Sequence, residues 1–91
     1  MDPHVNLSRL LELAEEAGIT VRRVPAAGDD AEHPGGAFVR LKGREMLLLD
    51  PTAAICDQIG VVAAALRGRP EIENRYLAPE IRQLIDEHQD A

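Results

Sequence analysis

The segment from Gly35 to Gly68 constrains the fold more than any other part of the chain. It holds an alternating run in which Ala37, Val39 and Leu41 interleave with Phe38, Arg40 and Lys42. Gly43 follows, then a continuous apolar run, Met46-Leu47-Leu48-Leu49. Alternation with period two predicts a strand, and a glycine between two such runs predicts a tight hairpin connection. An apolar run without alternation predicts a central strand covered on both sides. A helix is expected from Asp50-Pro51-Thr52 onward, with Ile55, Ile59, Val62, Ala63 and Leu66 on one stripe. Cys56, Val61, Ala64 and Ala65 make most of its remaining surface apolar, and only Asp57 and Gln58 interrupt it. Such a helix is either central or pressed against a partner.

The flanks supply the remaining layers. Asp2-Pro3 is an N-cap followed by proline at the first helical position. Leu7, Leu10, Leu11, Ala14 and Ala17 then form one apolar stripe, with Glu12, Glu15 and Glu16 off it. Gly18 suits the left-handed position that ends a helix. Ile19 to Val24 predicts a short strand, Ile19 and Val21 on one face and Thr20 and Arg22 on the other. Residues 25–36 lack periodicity and predict a surface loop. Gly68-Arg69-Pro70 closes the second long helix, residues 71–78 are expected to be irregular with Ile72, Tyr76 and Leu77 as anchors, and Pro79 opens a last helix along Ile81, Leu84, Ile85 and His88. The expected fold is a single α+β domain over residues 1–91, with a three-stranded, mainly antiparallel sheet packed against helices in the order α-β-β-β-α-α.

Composition excludes several functions. A formal charge of −6 disfavours nucleic-acid binding, which needs cations to displace phosphate counterions. Phe38 and Tyr76 are the only aromatics, too few for a base-stacking platform. The lone cysteine, Cys56, excludes an intrachain disulfide framework and fits a reducing compartment. No apolar run is long enough to span a membrane, and the first residues carry no secretory-leader pattern, so the expectation is a cytoplasmic protein.

The run from the first helix to the second long helix resembles the N-terminal half of the ImmA/IrrE family of zinc-dependent metallopeptidases. The matching pieces are Leu11-Glu12-Leu13-Ala14-Glu15-Glu16-Ala17-Gly18-Ile19-Thr20-Val21, Gly35-Gly36, Met46-Leu47-Leu48-Leu49-Asp50, and Asp57 to Gly68. The family's helix carries HExxH; this chain reads Val62-Ala63-Ala64-Ala65-Leu66-Arg67-Gly68. In that register the zinc histidines fall on Ala64 and Gly68 and the general-base glutamate on Ala65. Peptidase chemistry needs two imidazoles one helical turn apart beside a carboxylate. Neither alanine nor glycine offers a ligand atom or a base. The resemblance therefore implies a zincin-like scaffold without its catalyst, with no metal and no cofactor. Tyr76-Leu77-Ala78-Pro79-Glu80 is also similar to a segment of short bacterial proteins of unassigned role.

Other chemistry is sparse. Cys56, near a helix N-terminus, is a candidate nucleophile that needs a base from His4, His33 or His88; a small buried hydrophobe is the simpler reading. His33 beside Asp29, Asp30 and Glu32 invites a metal, but nothing in the loop supplies packing to fix the ligands. Against the acidic balance, Arg22, Arg40, Lys42 and Arg44 cluster in or beside the strands, and Arg22, Arg40 and Lys42 are expected on one sheet face. That face is either a solvated surface or a basic site for an acidic protein segment or a small anion. The functional expectation is a non-catalytic interaction module, acting through that face or a strand edge, or self-associating through Val61, Ala64 and Ala65. The alternatives are a small hydrolase-type enzyme using Cys56 or acidic residues, and a small-anion-binding protein.

Overall fold

The computed structural model describes residues 2–25 and 35–87. Helix α1 (Pro3–Glu16) starts as expected: Asp2 accepts the His4 N–H through Oδ1 at 2.9 Å, with proline in the first turn. Strands β1 (Thr20–Arg23), β2 (Gly36–Leu41) and β3 (Arg44–Leu49) form one sheet, followed by helix α2 (Ile55–Leu66), a four-residue helix α3 (Pro70–Glu73) and helix α4 (Pro79–Glu87). The chain is an α+β fold in the order α-β-β-β-α-α-α.

Two expectations about the sheet change. The spatial order is β1-β3-β2, with β2–β3 antiparallel and β1–β3 parallel, so the sheet is mixed rather than mainly antiparallel. β3, the most apolar strand, takes the centre, and inserting it between β1 and β2 makes it run alongside β1. Among the described residues, helices cover β3 on one face only. Leu47 and Leu49 are fully buried under the helices, whereas Met46 and Leu48 are half-buried on the opposite face, beside Val39 and Leu41 of β2.

The helices pack on the Leu47/Leu49 side. Leu10 and Leu13 of α1, Val62 and Leu66 of α2, Ile72 of α3 and Ile85 of α4 complete a core of fully buried aliphatic side chains. Leu13 lies off the stripe read from the sequence, because α1 meets both the sheet and α2 and so buries a wider arc. α2 buries seven of its twelve residues, Gln58 among them. It begins five residues after Asp50, whose carboxylate accepts from the Thr52 N–H and hydroxyl (2.9 and 2.6 Å) and holds a turn there instead. Ile72 and Leu77 anchor the C-terminal segment, but Tyr76 is 84% exposed and anchors nothing. Arg75 reaches back to Glu16 at the end of α1, fastening that segment from outside.

Two glycines set the position of β2. A Cβ on Gly35 would lie 2.2 Å from the Asp57 carbonyl oxygen, so the strand can approach the first turn of α2 this closely only without a side chain. Gly36 has φ 146°, and its Cβ would strike the Leu48 carbonyl. At the other end, Lys42 and Gly43 both have positive φ (52° and 79°), the geometry of a two-residue hairpin turn.

Candidate functional site

Strand register separates the cations that sequence reading grouped together. Arg22 pairs with Leu48 and Arg44 with Leu41, which puts both on the uncovered face with Met46 and Val39. Arg40 pairs with Glu45 and so shares the helix side with Leu47 and Leu49. Lys42 is in the turn and belongs to neither face. Arg22, Arg40 and Lys42 therefore do not form one basic face. The reason is parity: Leu48 and Glu45 are an odd number of residues apart on β3, so their partners Arg22 and Arg40 point to opposite sides.

The site that does form is a cleft of about 410 Å³ between β2 and the C-terminal end of α2, lined by Phe38 and Arg40 on one wall and Ala64, Ala65, Arg67 to Pro70 and Glu71 on the other. Glu45 is not itself in the lining but ties two of the lining arginines together. Both of its carboxylate oxygens accept from Arg69, one at 3.0 Å, and Oε2 also accepts from Arg40 at 3.1 Å. The Glu45 carboxyl is held below the usual carboxylate range, chiefly by the Arg69 hydrogen bonds; burial opposes this, and the Arg40 hydrogen bond adds to it. Arg69 also donates from Nε to the Ala65 carbonyl (2.9 Å) and from Nη1 to Glu71 (3.3 Å), and its guanidinium carbon stands 5.6 Å from the Phe38 ring centre. These bonds occupy Arg69, and its side chain is only 14% exposed. It is a strut joining β3 to α2 and α3.

Arg40 and Arg67 differ from it. The Arg40 side chain is 71% exposed and donates only from Nη2, leaving its other N–H groups facing water. Arg67 is exposed and has no ion pair among the described residues. The cleft and Glu45 together thus hold three guanidiniums against two carboxylates, with the available donors on Arg40 and Arg67.

β2 brings a second kind of recognition group to the same place. The Asp50 N–H donates to the Gly35 carbonyl at 2.9 Å, which fixes the phase of the antiparallel ladder. The peptide groups of Ala37, Val39 and Leu41 then turn toward β3, and those of Gly36, Phe38 and Arg40 turn outward. β2 is the last strand of the sheet on that side, so among the described residues these outward groups have no strand to pair with. Its side chains are accessible on both faces: Phe38 and Val39 are each 37% exposed and Leu41 61%.

The other sequence candidates fall elsewhere. Val61 and Ala65 are 2% and 8% exposed inside the monomer, and only Ala64 of that trio is half-exposed, so they offer no continuous face for self-association. That surplus apolar surface of α2 is consumed by α1, α4 and the sheet. Cys56 is a free, exposed thiol, contrary to a buried-hydrophobe reading. His33, Asp29, Asp30, Glu32 and His88 lie outside the described residues; among the described residues no cluster of three metal-ligating side chains occurs. The positions that the ImmA/IrrE resemblance assigns to ligands and base, Ala64, Ala65 and Gly68, all line the cleft. α2 ends at Leu66 and Gly68 lies beyond it at φ 78°, so positions 64 and 68 are not one turn apart on a helix.

Fold and site together define an α+β domain whose mixed sheet has, among the described residues, one face without helices and an unpaired strand edge at β2, with an arginine-bearing cleft beside that edge. No protein-family model matches the chain, and no curated protein or solved structure matches it. No helix among the described residues is long and apolar enough to cross a membrane.

Proposed function

We propose that this chain is a non-catalytic protein-interaction module of the cytoplasm that takes an extended segment of a partner along the free edge of β2. The observation that carries this reading is the pair of outward peptide groups at Phe38 and Arg40 on the exposed part of the edge strand. Such an edge is a template for strand addition, and backbone hydrogen bonds then supply affinity while alternate side chains supply selectivity. The resemblance to a zincin-like scaffold agrees with it, since in that scaffold an extended peptide commonly lies along an edge strand. The missing ligand atoms at Ala64, Ala65 and Gly68 argue for binding without cleavage. A second copy pairing β2 against β2 is the self-associating form of the same reading.

The second reading, a small-anion site, rests on Arg67, which forms no ion pair among the described residues, beside an Arg40 with unused N–H groups. A hydrolase-type reading through Cys56 has less behind it, because no base lies within hydrogen-bonding reach of the thiol among the described residues.

Proline at position 40 tests the edge directly. It removes an outward N–H and leaves the ladder to β3 intact, the one place in a sheet where proline is tolerated. Arg40→Gln removes the charge and keeps that N–H. Capture of partners from a native extract is expected to be lost with Arg40→Pro and retained, though weaker, with Arg40→Gln. Equal capture by wild type and by a folded Arg40→Pro chain would contradict the proposal.

A further inference from the structure

We infer that the segment received on the β2 edge alternates acidic and apolar residues, with the acids entering the Arg40–Arg67 cleft and the apolar side chains extending the uncovered sheet face. This rests on the edge-binding reading and names the chemistry of its partner.

The inference follows from strand parity. Residues opposite one another on neighbouring strands share a face, and successive residues take opposite faces. A strand added beside β2 therefore sends the residue facing Arg40 to the helix side and its neighbours, facing Val39 and Leu41, to the uncovered side. The two sides differ sharply in chemistry. On the helix side, Arg40 keeps unused N–H groups and Arg67 forms no ion pair among the described residues, while Arg69 is already engaged by Glu45, Glu71 and the Ala65 carbonyl. A carboxylate there completes charge-assisted hydrogen bonds; an ammonium meets two guanidiniums. On the uncovered side, Val39 and Leu41 continue into the half-buried Met46 and Leu48, a patch that no helix among the described residues covers. An apolar side chain laid there removes that surface from water, and an acid there is desolvated without gain. The edge thus reads a two-residue period, acid in and apolar out. Sliding the segment by two residues preserves the match and sliding by one inverts every contact, so the same groups set register.

The test uses the full chain and three end-blocked synthetic peptides of about strand length. One alternates valine and glutamate, one valine and lysine, one serine and glutamate. Binding is followed by fluorescence anisotropy at low and high salt. The valine–glutamate peptide is expected to bind at least about tenfold more tightly than either control, and its advantage over the lysine peptide should shrink at high salt. An Arg40→Gln/Arg67→Gln chain should bind the glutamate and lysine peptides with nearly equal affinity. Equal binding of these two peptides by wild type would overturn the acid preference while leaving the edge reading standing. A glutamate preference undiminished in the double variant would overturn the cleft as its source. Equal binding of the serine and valine glutamate peptides would overturn the role of the uncovered face. No binding of any peptide would bring down the edge reading itself.

Discussion

The two faces of this three-stranded sheet are built from the same kind of residue and have opposite fates. On the helix side, Leu47 and Leu49 are fully buried in the core shared with the helices. On the other side, Met46 and Leu48 stay half-buried and Val39 and Leu41 are open to water. Apolar alternation within a strand therefore does not decide which side the helices take. In β2 the more apolar set (Ala37, Val39, Leu41) looks away from the helices, and the set carrying Arg40 looks toward them. The register with β3 puts Phe38 and Arg40, not Val39, on the α2 side, and a bare backbone at Gly35 lets the chain entering β2 lie against the first turn of α2. Arg40 stays largely exposed on that side, paired with Glu45 and lining the cleft.

The contrast can be broken most forcefully in the core. Leu47→Ala and Leu66→Ala are each expected to cost about 2–5 kcal/mol in chemical denaturation. Leu41→Ala on the uncovered face should change stability by no more than about 0.5 kcal/mol. Equal losses at Leu47 and Leu41 would mean that the outer face is covered in solution.

Gly35→Ala comes next. Its methyl group would collide with backbone rather than a yielding side chain, so a loss of about 1–3 kcal/mol is expected, readable as a fall in melting temperature.

Glu45→Gln should cost about 1 kcal/mol, a modest figure because the Glu45 and Arg69 side chains keep 21% and 14% of their exposure. Its signature is in pH. Because the folded-state pKa of Glu45 is depressed, its contribution is complete above the unfolded value of about 4.3 and is lost as pH falls through the lower folded value. Stability measured from neutral pH down through that window should therefore decline less steeply in the Gln variant than in wild type.

The smallest effect belongs to Arg22→Glu and Lys42→Glu, each within about 0.5 kcal/mol, since neither side chain forms an ion pair among the described residues. A large loss at Arg22 would show that the outer face is a structural surface.

Much of the architecture was legible because it is written in local periodicity. The apolar stripe of α1, the tight connection at Gly43 and the nearly all-apolar α2 follow from spacing alone, whereas Lys42, read as strand, belongs to the turn. The parallel β1–β3 pairing was not, because a chain read in order favours neighbours in sequence, and only the three-dimensional competition for the central place puts Leu47 between Val21 and Phe38. The cleft was hidden for a similar reason. Glu45 and Arg69 are 24 residues apart, and Arg67 reads as one charge at the end of a helix until α2 is laid over β2. Arg40 was grouped with the wrong companions, because the parity linking it to Arg22 depends on the register of both strands with β3. Tyr76 looked like an anchor because an aromatic residue usually is one; the anchoring there is done by Ile72 and Leu77.

Amide hydrogen exchange along β2, in the free protein and with the valine–glutamate peptide, tests the central claim most directly. In the free protein the Ala37, Val39 and Leu41 amides should be protected by the ladder to β3, and the Phe38 and Arg40 amides should exchange fast. With peptide bound, Phe38 and Arg40 should become protected while the first set changes little. Phe38 and Arg40 amides already protected in the free protein, or still fast in the peptide complex, would contradict strand addition at this edge.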